Sequence, residues 1–153
     1  LYGKEEYSGY NSFNSPFTRP FNDDRLVIMP GERVMVPTGM IFDIPKGFSI
    51  RIHPRSGLSY KNGLILANLE AVIDSDYTQE TFVLLTNVSE NHQIIRNGDR
   101  IAQAELVQQL HYNIVESETR PEQKTDRVGG LGSTGVKTPE VKRCRGRPKQ
   151  DAA

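Results

Sequence analysis

The sequence is short of several things. It has one cysteine, Cys144, which excludes an intramolecular disulfide framework and a cysteine-rich zinc site. No stretch approaches the ~18 apolar residues that a membrane span needs. The opening residues, Leu1 to Tyr10, are polar and unlike a signal peptide, so the chain reads as a soluble intracellular protein. It also has no net charge, with 19 Lys and Arg against 19 Asp and Glu in 153 residues. That balance excludes a generally basic nucleic-acid binder and a highly charged disordered chain. The length suits one domain, and it suffices to bury roughly two-thirds of the unfolded surface without staples.

The zero is composite. Residues 137–153 hold six basic and two acidic side chains, so this tail is +4. Residues 1–136 hold 13 basic and 17 acidic, and are −4. Two physically different objects share the chain.

Residues 1–24 read as an irregular N-terminal segment. Tyr2, Tyr7, Tyr10, Phe13, Phe17 and Phe21 are scattered there among Gly, Ser, Asn and Pro with no helical period. From Arg25 short apolar runs recur: Leu26–Met29, Val34–Val36, Met40–Ile44, Phe48–Ile52, Leu64–Leu69, Ala71–Ile73, Phe82–Leu85, Ile94–Ile95 and Ile101–Val107. Turn signals such as Pro30-Gly31, Thr38-Gly39, Lys46-Gly47, Asn62-Gly63 and Asn97-Gly98 separate them. Many short strands predict an all-β sandwich or barrel. Phe48–Ile52 and Ala102–Leu106 alternate, which predicts strands with one wet face. The single helix signal is one or two turns after Pro54, stopped at Asn62-Gly63. Residues 25–126 thus read as a β-rich core. The nine residues Arg127–Gly135 contain four glycines, so 127–136 reads as a glycine-rich segment. Residues 137–153 read as a disordered basic tail.

Four segments can carry chemistry. In Pro54-Arg55-Ser56-Gly57-Leu58-Ser59, an Arg, a hydroxyl and a Gly at a helix start suit an anion, or simply begin a helix. Asn68-Leu69-Glu70-Ala71-Val72-Ile73-Asp74-Ser75-Asp76-Tyr77 puts two carboxylates beside an apolar run. On a hairpin Asp74 and Asp76 would share a side, where a carboxylate can take a proton from water; an ordinary turn is the alternative. Asn97-Gly98-Asp99-Arg100-Ile101-Ala102-Gln103 is a turn entering a strand, with Gln103 a candidate to face a cleft. Arg127-Val128-Gly129-Gly130-Leu131-Gly132-Ser133-Thr134-Gly135 can wrap phosphates or serve as a linker. His53 and His111 read as structural.

In this order the four segments resemble the trimeric dUTP diphosphatase (dUTPase) family, and Val36-Pro37-Thr38-Gly39 fits as well. The resemblance runs from about Arg25 to Gly135. It implies a β-clip or jelly-roll barrel, a homotrimer with active sites shared among subunits, and hydrolysis of dUTP to dUMP and pyrophosphate with Mg²⁺. Such an activity limits uracil in DNA and supplies dUMP for dTTP synthesis. It further implies that Asp74 is the general base and that Tyr77 lies against the deoxyribose. Asn68 and the backbone from Asn68 to Tyr77, Ile73 included, would read the uracil edge. Arg55, Ser56 and Gly57 would hold phosphates, with Gln103 near the α-phosphate. Arg127 would close over the γ-phosphate, Ser133 and Thr134 would bind beside it, and Leu131 and Gly132 would cover the base. Mg²⁺ prefers phosphate oxygens and water, so no direct protein ligand is expected.

The sequence departs from the family pattern in places. Gly9-Tyr10-Asn11-Ser12 is nearest to a motif that usually reads Gly-Tyr-Asp-Leu, so Asn11 stands where an Asp would steer a metal-bound water; Asp23 or Asp24 are the candidate substitutes. Leu131 stands where a Phe usually stacks on uracil. Thr78-Gln79 replace a basic residue and Gly. The related dCTP deaminases and a non-catalytic, nucleotide-responsive DNA-binding regulator are the alternative readings.

Val141-Lys142-Arg143-Cys144-Arg145-Gly146-Arg147-Pro148-Lys149 resembles an AT-hook. An extended Arg145-Gly146-Arg147-Pro148 can lie in a narrow A·T minor groove, since Gly allows close approach and Pro keeps the chain extended. A solvated basic tail or a targeting signal is the alternative.

Overall fold

The computed structural model describes residues 4–126. The chain divides into two units, Leu1–Tyr112 and Asn113–Ala153. All regular elements among the described residues lie in the first unit. They are β1 (Glu6–Tyr10), β2 (Pro16–Pro20), β3 (Arg25–Ile28), β4 (Arg33–Pro37), β5 (Phe48–Pro54), α1 (Ser56–Asn62), β6 (Leu64–Leu66), β7 (Ala71–Asp74), β8 (Phe82–Asn87), β9 (Gln93–Arg96) and β10 (Ala102–Gln108). The strands form three antiparallel sheets, ordered β2-β1-β4-β8-β6, β10-β5-β7 and β3-β9. The all-β expectation with one short helix holds.

Alternation in the central strands makes the core. Val34 and Val36 of β4, Val83 and Leu85 of β8, and Leu64 and Leu66 of β6 are buried together. Leu26 and Ile28 of β3, Ile52 of β5 and Ile95 of β9 join them. The helix ends as its sequence predicts. Gly63 takes φ +64° and its N–H bonds to Leu58 O. An added Cβ there would lie 2.8 Å from that of Ser89, so only glycine fits.

The irregular reading of residues 1–24 is corrected. β1 and β2 form a hairpin that pairs with β4 through β1. Its aromatics meet across strands rather than along one. Tyr7 is buried, its ring edge-on to Phe17 at 6.2 Å and tilted against Phe21 at 5.3 Å. Its hydroxyl donates to Val27 O at 2.9 Å. Gly9 is required by close approach, because a Cβ would sit 2.2 Å from Arg33 O and 2.9 Å from Phe17 Cζ. Pro16 and Pro20 are tolerated because β2 is an edge strand.

Three further expectations change. Met40–Ile44 is not a strand; it lies between Pro37 and Pro45, and Thr81 N–H donates to Met40 O without a ladder forming. β10 has no dry face among the described residues: Ala104 and Leu106 are exposed along with Gln103 and Glu105. β5 is not wet on one side either, since Ser49 is as buried as Ile52.

Two buried polar groups hold the turns. Glu32 is 3% exposed. It receives a two-pronged grip from Arg19, at 2.9 and 2.6 Å, and the N–H of Met29 at 2.8 Å. The hydrogen bond to Glu32 holds the Arg19 guanidinium above its ordinary pKa, against the opposing effect of desolvation. Asn87 uses its whole amide: it donates to Ile28 O and Asn91 O, and accepts from the N–H and hydroxyl of Ser89. Replacing Arg19 by Ala would leave the Glu32 carboxylate buried without its charged partner. The expected loss is about 1–3 kcal/mol, discounted because Arg19 is itself partly exposed, and urea unfolding of Arg19→Ala measures it.

Candidate active site

The sheet β10-β5-β7 positions the candidate residues. β5 pairs with β10 on one side, Pro54 opposite Ala102 and His53 opposite Gln103. It pairs with β7 on the other, Ser49 opposite Asp74 and Ile50 opposite Ile73. Arg55 follows β5 directly and is the extended residue before α1.

One end of this sheet gathers the groups expected at phosphates. Arg55 Nη1 donates to Arg100 O, which ties the Arg55 loop to the turn before β10. Gln103 Nε2 donates to Pro54 O at 3.1 Å. Ser56 and Gly57 open the helix with exposed side positions. Among the described residues, apart from its chain neighbours and the helix's own backbone, none comes within 4 Å of where a Gly57 Cβ would be, so backbone approach from outside is open. The first turn of α1 carries no acidic residue that would repel an anion. Beside Gln103 lies a cavity of about 470 Å³, lined among others by Met40, Ile52, Thr81, Ile101 and Ala104.

The other end of the sheet holds Asp74. Its carboxylate is exposed, with Gln109 Nε2 at 3.4 Å. Sequence reasoning missed Gln109, which no motif marks; its N–H is anchored on Gly47 O at 2.8 Å. The expected pairing of Asp74 with Asp76 on one side of a hairpin is not found. β7 stops at Asp74, and a turn follows in which Tyr77 N–H bonds to Asp74 O at 3.1 Å. No partner strand returns along β7 among the described residues, because β6 pairs with β8 instead. β7 is therefore an edge strand with main-chain groups turned away from β5. Ile73 packs its side chain on the core, so only its main chain is available to a ligand.

Tyr77 is fixed by its hydroxyl, which donates to Glu80 O at 2.8 Å. Glu80 in turn accepts the Gly39 N–H at 3.0 Å and pairs with Lys4 at 3.3 Å. Thr78 and Gln79 lie in this exposed loop. Asn68 is exposed in the loop before β7.

Asn11 is a turn residue. Its Oδ1 accepts the N–H groups of Phe13 at 3.0 Å and Ser15 at 2.8 Å, which closes the β1–β2 loop. Asp23 and Asp24 form the two-residue turn between Asn22 and Arg25, both at positive φ, and Asp23 pairs with Arg25 at 2.8 Å. The Asn11 side chain is thus engaged within its own loop, and the Asp23 carboxylate pairs with Arg25. Among the described residues no group of three or more His, Cys, Asp or Glu side chains converges on a metal site. No described helix is long and apolar enough to cross a membrane. Arg127, Leu131, Gly132, Ser133 and Thr134, and the tail residues Arg145, Gly146, Arg147 and Pro148, lie outside the described residues.

The structure therefore brings Arg55, Ser56, Gly57 and Gln103 together, and separately Asp74, Ile73 and Tyr77. Along β5 from Ser49, opposite Asp74, it is four residues to His53, opposite Gln103, and six to Arg55, which at about 3.3 Å per residue is roughly 13 and 20 Å.

Known proteins bear on this arrangement. The family model for dUTPase matches residues 22–135. The deoxyuridine 5′-triphosphate nucleotidohydrolase of Rhizobium johnstonii is 43% identical over 111 residues, which is 72% of this chain and 70% of that protein. The enzyme of the same name from a Hydrogenobaculum species is 45% identical over 116 residues, covering 75% of this chain and 79% of that one. Among solved structures, the Staphylococcus bacteriophage 80alpha dUTPase G164S mutant with dUpNHpp superposes with a TM-score of 0.65. That match covers 89% of each chain at 20% identity, and so speaks for the jelly-roll fold. With the Pro54–Ser59, Asn68–Tyr77 and Asn97–Gln103 segments set around one sheet, and the family model spanning most of the sequence, this chain belongs to the dUTPase family.

Proposed function

We propose that the protein hydrolyses dUTP to dUMP and pyrophosphate in active sites shared between the subunits of a homotrimer, and so limits uracil in DNA and supplies dUMP. One observation carries the shared site. Counted along β5, Asp74 is roughly 13 Å from Gln103 and roughly 20 Å from Arg55 in one chain, yet base and phosphate ligands must meet at one phosphorus. A site made by two chains brings them together. The exposed apolar side chains of β10 and beyond, Leu106, Leu110 and Tyr112, supply surface for such an assembly.

In this reading Asp74 takes the proton of the attacking water as that water adds to the α-phosphorus. The bond to the bridging oxygen breaks, and pyrophosphate leaves. Arg55 and the Ser56 and Gly57 amides balance phosphate charge, and Gln103 donates near the α-phosphate. The exposed edge of β7, with Asn68, pairs with the uracil edge. Cytosine exchanges donor for acceptor there and leaves groups unpaired. Tyr77, pinned by Glu80, lies against the sugar and leaves no room for a 2′-hydroxyl. Arg127, Leu131, Gly132, Ser133 and Thr134 close over the nucleotide as a lid.

Mg²⁺ enters as part of the substrate. Mg²⁺ prefers phosphate oxygens and water, so in this reading the triphosphate holds it. Bound there, it would neutralise charge on the triphosphate.

The basic tail reads as a second partner site. With Arg145-Gly146-Arg147-Pro148 at its centre, it suits the minor groove of A·T-rich DNA, beyond the end of the family match at residue 135.

Asp74→Asn should lower kcat by at least about a hundredfold while dUTP binding persists. Steady-state rates against each deoxynucleoside triphosphate, with and without Mg²⁺, check this; ammonia released from dCTP would overturn the proposal. Asp74→Asn and Arg55→Ala, each inactive alone, should regain activity when subunits are exchanged, with about a quarter of sites restored in an equal mixture. Failure to complement would reject the shared site. Deleting residues 137–153 should leave dUTP turnover unchanged and abolish low-salt retention on A·T-rich duplex, read by gel shift.

A further inference from the structure

Arg51 and His53 of β5 carry a polar network that the proposed chemistry does not use. Arg51 Nη1 donates to Glu70 Oε1 at 3.0 Å. His53 Nδ1 lies 3.5 Å from Glu70 Oε2, and its Nε2 lies 3.5 Å from Glu105 Oε2 on β10. That Nε2 is sealed from solvent without a hydrogen bond, although the imidazole as a whole is partly exposed.

Glu70 also closes an unfavourable turn. Its N–H donates to Asn68 O at 2.7 Å, which makes Leu69 the centre of a three-residue turn. Leu69 has φ +63°, a region that a residue with a Cβ rarely adopts. Its side chain is 76% exposed, so packing does not hold it there. Two things do. Leu69 N–H bonds to Leu66 O at 3.1 Å, and the Glu70 carboxylate is gripped by β5.

We propose that Glu70 is a positioning residue for base recognition. Held by Arg51 and His53, it fixes the Leu69 turn and sets the place at which Asn68 meets the nucleobase. The network joins this loop to the strand that leads into Arg55 and, through Glu105, to the strand that carries Gln103. Glu70 and Arg51 are partly exposed, so the pair adds little to global stability, and its effect is on local geometry. Contacts to the base are shared by bound substrate and transition state. Losing their alignment raises KM and leaves kcat in place. The inference rests on the proposed role of Asn68 in dUTP binding.

The test uses the full chain with Glu70→Ala, Arg51→Ala, their double variant and Glu70→Gln. The readouts are kcat and KM for dUTP, the Kd of a non-hydrolysable imido analogue of dUTP, and the melting temperature. Glu70→Ala and Arg51→Ala should each raise KM and Kd about tenfold with kcat within about twofold, and the double variant should be no worse than either single one. Glu70→Gln, which keeps an acceptor for Arg51, should recover most of the affinity. An unchanged KM and Kd in Glu70→Ala overturns the inference. So does a loss confined to kcat, or a fall in melting temperature that tracks activity in the Ala and Gln variants alike. Wild-type turnover with unshifted affinity in Glu70→Ala rejects this inference alone, whereas wild-type protein that neither binds nor hydrolyses dUTP rejects the parent reading.

Discussion

The register of β5 governs the placement of Asp74, Arg55 and Gln103. All seven of its residues pair with β10 and four of them, Ser49 to Ile52, also pair with β7, which makes it a ruler, with Asp74 pinned at Ser49 and Gln103 at His53. A slip of one residue against β7 would turn Asp74 to the opposite face and bring Ile73 out of the core. The hydrophobic pattern therefore enforces the geometry of the polar groups. Ile50 and Ile52 can stay packed only in the register that puts Asp74 and Arg55 where they are.

Around that ruler, polar side chains do the work that long loops leave undone. Glu32 gathers the β1–β2 hairpin and the turn into β4 by accepting from Arg19 and the Met29 main chain. Asn87 ties the end of β8 to β3 and to its own following turn. Each is buried with its hydrogen-bonding capacity engaged, which is the condition for a polar group to rigidify a core rather than weaken it. Glu80 does the same at the surface, joining Gly39, Lys4 and the Tyr77 hydroxyl. Rigid turns near an exposed carboxylate lower the reorganisation needed when a substrate arrives.

Most strands were legible because short apolar runs stood between glycine turns, and the glycines at 31, 39, 47, 63 and 98 all adopt positive φ. The N-terminal hairpin was not legible. Its aromatic contacts run across strands, Tyr7 to Phe17 and Phe21, so no periodicity along the chain announces them. Met40–Ile44 looked like a strand because composition cannot tell an extended apolar segment from a paired one. The candidate residues were proposed through the order of their motifs, whereas Gln109, Arg51 and His53 belong to no motif, and the pairing of Glu70 with β5 became visible only once β5 had neighbours on both sides. Asn11 looked like a candidate for metal chemistry by position and proved to be a turn residue, because Asn serves backbone N–H groups well wherever the chain reverses.

β10 is exposed over most of its length in the single chain, from Gln103 to Leu106, with Leu106 56% exposed. Among the described residues its outer edge has no neighbour in its sheet. An open edge with apolar side chains is a surface that water penalises and that a second chain can cover. For a protein built this way, folding and association draw on the same strand. In the proposed assembly, stability would become a function of protein concentration: dilution would loosen the sheet that carries Gln103, and a nucleotide bound between subunits would protect it.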